Sequence, residues 1–150
     1  MSKKTILLIF LVILVPIFLY FLFPSDMSRI KKLFREGAVA IEKEDIEAVM
    51  SKVSFNYRDD YGLTYLYLKE SMKKVFQQLS DIKIEYENLK ITVGENTASA
   101  ELDVRVIATM GSDTGYILGD MPSPARLRFT LEKERTKWLI TKTEGLPLDW

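Results

Sequence analysis

An uncharged apolar run near the amino terminus constrains this chain more than any other feature of its sequence. The run covers residues 5–23 (TILLIFLVILVPIFLYFLF), 19 residues of a chain of 150. As a helix rising 1.5 Å per residue it extends about 28 Å, close to the hydrocarbon core of a bilayer, about 30 Å. A core helix of a soluble protein has a polar face, which this run lacks. The sequence therefore predicts a membrane span at residues 5–23, after a short basic tail at residues 1–4.

The flanks of the run decide between a cleaved signal peptide and a retained anchor. Lys3 and Lys4 give the basic start that a signal peptide has. The exit, YFLFPS at residues 20–25, lacks the small residues of a cleavage site, and the run is longer than the 7–15 residues typical of a signal. We therefore expect an uncleaved anchor that contacts membrane lipid through residues 5–23.

The charges on the two sides of the run bear on orientation. The amino-terminal side has Lys3 and Lys4. The carboxyl-terminal side has more basic residues: Arg29, Lys31, Lys32 and Arg35. Counted literally, the positive-inside rule places the following domain inside, but long domains translocate largely regardless of charge. We expect the domain on the exported side, periplasmic or extracellular.

Composition excludes several classes of function. The chain has no His and no Cys, so Ser-His-Asp and Cys-His nucleophiles, the usual zinc sites and disulfides are excluded. Lys plus Arg equals Asp plus Glu at 21 each, so no basic excess favours a nucleic acid. We expect no cofactor and no metal.

Residues 24–150 begin with helical patterns. Ser25 or Asp26 can cap a first helix, and Asp45 a short second one. A third helix, over residues 65–79, has the most regular apolar stripe. Between the second and third helices, residues 53–57 alternate and predict a short strand, followed by a turn at residues 58–62.

After Asp81 the apolar period changes from that of a helix to that of a strand. The phase slips by one residue at Glu87–Asn88, which predicts a β-bulge there. Four antiparallel strands follow from the pattern. The side chains expected on their inward face in the second and third are Ala98, Ala100, Leu102, Val104, Val106, Ala108, Met110, Leu127, Phe129 and Leu131.

This order of helices and long strands resembles the nuclear transport factor 2-like superfamily, the cystatin-like α+β roll. The resemblance covers roughly residues 27–145. The matching segments are IEKEDIEAVMS at 41–51, RDDYG at 58–62 and RLRFTLEKERTKWLITK at 126–142. It implies an α+β fold in which helices pack on a curved antiparallel sheet.

The resemblance also implies a cone-shaped pocket between the sheet and the helices. Enzymes of the superfamily place Asp, Tyr or His in it, but the inward residues of these strands are not ionisable, so we expect no catalytic residue. The candidates for the pocket wall are Tyr57, Tyr65, Leu102, Val104 and Phe129.

Other polar groups are interpreted as structural. Asp59 and Asp60 suit the turn at 58–62 because Asp hydrogen-bonds its own backbone there. Asp103 alternates outward, so Asp103→Val should be tolerated within about 1 kcal/mol. Its outward neighbours form expected cross-strand ion pairs: Glu101, Arg105, Arg126, Arg128 and Glu132.

Residues 111–124 (GSDTGYILGDMPSP) form a long predicted connection between two strands. Three glycines and two prolines argue against regular structure, yet Tyr116, Ile117 and Leu118 are apolar. The segment could be a lid over the pocket, a hairpin that extends the strands, or a contact for a partner. The partner role is our hypothesis.

The sequence thus predicts a membrane-anchored, non-enzymatic interaction or assembly domain of the cell envelope, with a protein partner or a second copy. Two alternatives stay open. One is a binding module for an apolar small molecule or lipid. The other is an isomerase- or dehydratase-like enzyme. A cavity of several hundred Å³ would favour the binding module.

Overall fold

A computed structural model describes residues 2–147 of the chain. The apolar run forms helix α1, Lys3–Leu22, whose first two residues are Lys3 and Lys4 of the basic tail. No side chain of α1 among those described is buried, and α1 is long and apolar enough to cross a membrane. The other elements are α2 (Asp26–Glu42), α3 (Ile46–Met50), α4 (Tyr65–Gln78), β1 (Leu79–Val93), β2 (Thr97–Met110), β3 (Asp113–Leu118), β4 (Ala125–Glu134) and β5 (Lys137–Glu144).

Three residues separate α2 from the end of α1, and α2 is the main helix that packs on the sheet. The side chain of Ser25 caps it by accepting a hydrogen bond from the Ser28 amide, as predicted. Its apolar stripe is buried against the strands, and Phe34 packs on Phe129 with ring centroids 5.0 Å apart. Asp45 caps α3 through the Ala48 amide, also as predicted.

The five strands form one antiparallel sheet in which β2 is central. The order is β1-β2-β4-β5. Along its first half β2 pairs with β4, and along its second half it pairs with β3. The helices cover one face, which gives the α+β roll that the sequence predicts.

Two irregularities bend β1. Its register with β2 shifts between Ser80 and Lys83 and again between Glu87 and Lys90. Asp81 and Asn88 lie at these shifts with φ of 50° and 56°, a left-handed conformation that Asp and Asn tolerate better than most residues. The second shift confirms the predicted bulge. Bulges increase local bend and twist, so β1 curves around the helices.

The segment at 111–124 is not the irregular loop that its glycines and prolines suggested. Residues 113–118 form β3, which returns along β2, so the hairpin alternative describes the backbone. Gly119 directly follows β3 and has a φ of 66°. A Cβ at this position would lie 2.7 Å from the Val104 carbonyl oxygen. Glycine is required at this position because the chain passes close to β2 as it leaves β3.

The predicted strand at 53–57 was wrong. Val53 makes only an isolated bridge to Ile140, and the Tyr57 amide donates to the Ser54 carbonyl, so the segment turns. Val53, Ser54 and Tyr57 are buried, whereas Phe55 is 81% exposed. The alternation of apolar residues had suggested one common face, but the turn points Phe55 to solvent.

The inward assignment of Met110 was wrong, and the exposure expected for Asp103 needed correction. Met110, expected inward, is 57% exposed because it ends β2 at the hairpin. Asp103 lies on the outer face as expected but is only 6% exposed. It accepts from Arg126 Nε and from Asn88 Nδ2, each at 2.9 Å. Both hydrogen bonds lower the pKa of Asp103, and the one from Arg126 has the larger effect.

This network changes the expected effect of replacing Asp103. Asp103→Val should lower the melting temperature measurably, because Arg126 and Asn88 lose their acceptor. Val104→Asp should cost about 3 kcal/mol or more, because it places an unpaired charge on the inner face. Thermal melting of both variants and of Asp103→Asn checks this. An unchanged melting temperature in Asp103→Val would show that the network contributes nothing.

Candidate ligand-binding cavity

A cavity of about 310 Å³ lies between α2 and the inner face of the sheet. Strands β1, β2, β4 and β5 form its floor, and α2, α3 and α4 form its walls. The lining is almost entirely apolar. The lining includes Leu33, Phe34, Gly37, Ala38, Ile41, Lys52, Tyr57, Leu68, Met72, Leu102, Val104, Leu118, Leu127, Phe129 and Thr143.

The space exists because small residues of α2 face it. Gly37 and Ala38 leave a gap between Phe34 and the end of the helix. A Cβ placed on Gly37 would have no atom within 4 Å, so the helix surface there borders open space. The volume is at the lower end of the range of small-molecule pockets, about 300–1,000 Å³.

The far wall is formed by α4, which is lightly packed. Leu68 and Met72 point to the cavity, yet within the described chain α4 contains no buried residue. Its amphipathic pattern correctly predicted a helix, but the stripe is only half covered. An element with few buried apolar contacts opens at lower free-energy cost than the core, so α4 is the wall most able to move.

Tyr57 supplies a polar group at the cavity wall. Its side chain is 2% exposed, and its hydroxyl donates to Asp59 Oδ2 at 3.1 Å. Burial raises the pKa of Tyr57 to about 12, and the negative charge of Asp59 adds to the effect while Thr143 opposes it. Tyr57 therefore stays protonated at neutral pH, and its hydroxyl can donate a hydrogen bond to a ligand only by leaving Asp59.

Asp59 itself serves the turn. Its Oδ1 accepts from the backbone amides of Tyr61, at 3.0 Å, and Leu63, at 2.9 Å. This confirms the interpretation of Asp59 as a turn residue. Asp60 forms an ion pair with Lys142 at 3.0 Å. Among residues 2–147 no carboxylate lines the cavity, and no cluster of Asp and Glu is arranged to hold a metal ion.

Lys52 is the charged residue in the lining. Its Nζ pairs with Glu36, at the outer side of α2, so the aliphatic part of the side chain borders the cavity. The pKa of Glu36 is lowered, chiefly by the hydrogen bond that Lys52 donates to its carboxylate. The ammonium group is thus already neutralised by a partner outside the cavity.

The structure places some of the predicted site residues in the cavity lining and others outside it. Tyr57, Leu102, Val104 and Phe129 line the cavity, whereas Tyr65 lies outside its lining and stacks on Phe55 with ring centroids 4.6 Å apart. In the predicted interaction segment, Tyr116 is 39% exposed. Ile117 packs near Leu79, and Leu118 borders the cavity. Their partner role stays a prediction.

The α2 residues of the cavity were missed by sequence reasoning. Gly37 and Ala38 belong to a stripe that reads as ordinary helix packing, and nothing in their type signals a pocket. The available signal was that two small residues, Gly37 and Ala38, interrupt a helix face whose other residues are bulky. The bulky residues are Leu33, Phe34 and Ile41.

The buried hydroxyl of Tyr57 makes a testable prediction. Because the folded pKa is raised above the ordinary value of about 10, its stabilising contribution is complete below pH 10 and is lost as the pH rises toward 12. An ultraviolet titration of tyrosinate should show one late step that Tyr57→Phe removes and Tyr67→Phe, at an exposed site, does not. The prediction fails if all tyrosines titrate together while the protein is folded.

No family model matches the chain, and no curated protein sequence matches it. Solved structures do. A candidate scytalone dehydratase from Novosphingobium aromaticivorans has 14% identity and a TM-score of 0.69, over 79% of this chain and 81% of that one. A protein of unknown function with a cystatin-like fold from Nostoc punctiforme has 16% identity and a TM-score of 0.62, over 83% and 97%. A candidate dehydratase of the NTF2-like family from Streptomyces avermitilis has 10% identity and a TM-score of 0.66, over 79% and 92%. Similarity at this level of identity shows the fold, and the domain that follows α1 has the NTF2-like, cystatin-like α+β fold.

Proposed function

We propose that the chain is a membrane-tethered binding protein that holds a small apolar molecule in the cavity under α2. The observation that carries the proposal is the cavity itself: about 310 Å³ of space with an almost wholly apolar lining. An apolar space of this kind favours apolar guests, because a guest that displaces water from the lining removes apolar surface from solvent.

The chemistry of the lining limits the class of ligand. A charged ligand would lose its hydration without gaining a partner, which is unfavourable. The Tyr57 hydroxyl, already bonded to Asp59, leaves room for at most a weak polar contact. A compact hydrocarbon or aromatic molecule, or the apolar end of a lipid, fits these walls.

Tethering is supported by α1. Among residues 2–147 no side chain of α1 is buried, and a bilayer is the solvent that suits so long an apolar helix. We propose that α1 is a retained anchor and that the domain lies on the exported side, where a long domain can follow a short basic leader.

A protein-assembly role is the second candidate, and exposed apolar side chains favour it. Phe55, Leu66 and Tyr67 are 81%, 70% and 68% exposed, and large exposed apolar side chains are a feature of interaction surfaces. An enzymatic role has weaker support. Two of the similar structures are candidate dehydratases, but the described lining offers no carboxylate base.

Filling the cavity tests the binding proposal. The core clusters contain no residue before Ile30, so a fragment that begins at Pro24 keeps the whole core and the Ser25 cap. We expect this fragment to bind N-phenyl-1-naphthylamine, a neutral apolar fluorophore, saturably. Gly37→Leu should abolish the binding by occupying the cavity, without lowering the melting temperature, because Leu favours a helix by roughly 1 kcal/mol over Gly.

Val39→Leu is the matched control. Val39 lies on the same helix but is 42% exposed on the opposite face, so the added bulk should leave probe binding unchanged. Equal binding by Gly37→Leu, with its fold intact, would contradict the proposal. Absence of saturable binding by the unaltered fragment would also contradict it and would leave the assembly role.

A further inference from the structure

Basic side chains gather at the end of the domain that is joined to α1. Lys31, Lys32 and Arg35 lie on the exposed side of α2, and Arg135 and Lys137 lie in and beside the β4–β5 turn. We name these five residues the basic end. They come from segments more than 95 positions apart in the chain.

Hydrogen bonds join the two segments of the basic end. Arg29 Nη1 donates to the Thr136 carbonyl oxygen at 3.2 Å. Asp26 Oδ1 accepts from Trp138 Nε1 at 3.0 Å and from Lys133 Nζ at 3.2 Å. The hydrogen bond from Trp138, followed by that from Lys133, lowers the pKa of Asp26, so the carboxylate stays charged and holds the turn against α2.

Two carboxylates near the basic end are already in ion pairs: Asp26 binds Lys133, and Glu36 binds Lys52 and, at 3.6 Å, Lys32. Glu134 accepts from the Ser54 hydroxyl but keeps its charge. Within residues 2–147 it joins Glu132 on β4 and Glu95 in the β1–β2 turn as an opposing charge, fewer than the five basic side chains. Within residues 2–147 no ion pair involves Lys31, Arg35, Arg135 or Lys137, so their positive charge is available to an external anion.

The connection to α1 determines which anion lies within reach. Only residues 23–25 separate the two helices, and four backbone steps span at most about 14 Å. Lys31 and Lys32 follow within two turns of α2, roughly 9 Å further along its axis. Any bilayer that holds α1 is therefore always close to the basic end, because the two are joined by a short covalent connection.

We infer that the basic end binds the headgroups of anionic phospholipids in the bilayer that holds α1. The inference rests on the proposed anchoring and adds to it: α1 alone would leave the domain free to swing on residues 23–25. Lys and Arg beside a membrane helix are attracted to anionic headgroups within about a Debye length, in whichever leaflet those headgroups lie. Docking would fix the domain against the membrane and set the direction in which the cavity faces.

The test uses the full chain, which lacks Cys and so accepts a single labelled cysteine. Thr136→Cys places a fluorescent donor in the basic end. Ser112→Cys places it on the β2–β3 turn, at the other end of β2, a strand of 14 residues that is at most about 46 Å long. Each protein is inserted into lipid nanodiscs that contain an acceptor attached to headgroups. The discs are either neutral phosphatidylcholine or contain about 30% phosphatidylglycerol as the anionic lipid.

We expect energy transfer from position 136 to rise in anionic discs and to return to the neutral value at about 1 M salt, where the Debye length is only about 3 Å. Position 112 should show no such rise. The triple variant Lys31→Gln, Lys32→Gln, Arg35→Gln should lose the increase. A matched triple variant, Lys43→Gln, Lys74→Gln, Lys83→Gln, removes the same charge from exposed sites elsewhere and should keep it.

Equal transfer in the two kinds of disc, in protein that inserts normally, would overturn this inference and leave the anchor intact. An increase that persists in the first triple variant or at high salt would also overturn it. Failure of the chain to insert into any disc would overturn both the inference and the proposed anchoring.

Discussion

The structure depends on a mismatch of length between the sheet and the helix that covers it. Strand β2 has 14 residues and extends about 46 Å, whereas α2 has 17 residues and extends only about 26 Å. A flat sheet of that length would leave half of its apolar face in water. The bulges at Asp81 and Asn88 bend β1 toward the helices, and α3 and α4 cover part of what remains. The space that none of them fills is the cavity.

The same geometry connects α1 to the cavity. Asp26, at the start of α2, is held by Trp138 and Lys133, so the end of the sheet that carries the β4–β5 turn lies beside the exit from α1. Helix α2 then leads from this end to Gly37 and Ala38 at the cavity. One helix thus carries the link to α1, the side chains Lys31, Lys32 and Arg35 of the basic end, and one wall of the cavity. The proposed membrane-tethered binding protein would use this arrangement to hold the cavity in a set position relative to the bilayer.

Much of the fold followed from the sequence because its signals are local. The caps at Ser25 and Asp45 and the bulge beside Asn88 each follow from a few neighbouring residues. The errors arose where tertiary contacts decide. Strand β3 forms despite its flanking glycines because β2 offers a free edge beyond its pairing with β4. Asp103 is buried on an outer face because Arg126 and Asn88 lie over it. Four of the five predicted pocket residues line the cavity, but its size depends on Gly37 and Ala38, whose role is visible only when the layers are assembled.

Xenon binding tests most directly whether the cavity is open to apolar guests. Xenon enters apolar cavities that water leaves empty. In the fragment that begins at Pro24, methyl resonances of Leu68, Leu102, Val104 and Leu127, which line the cavity, should shift with xenon pressure and saturate. The methyl groups of Ile30 and Leu131, buried in the same core but outside the lining, should change little. Small, unsaturable shifts of similar size at all these positions would show that the space is closed or collapsed in solution, and would contradict the account.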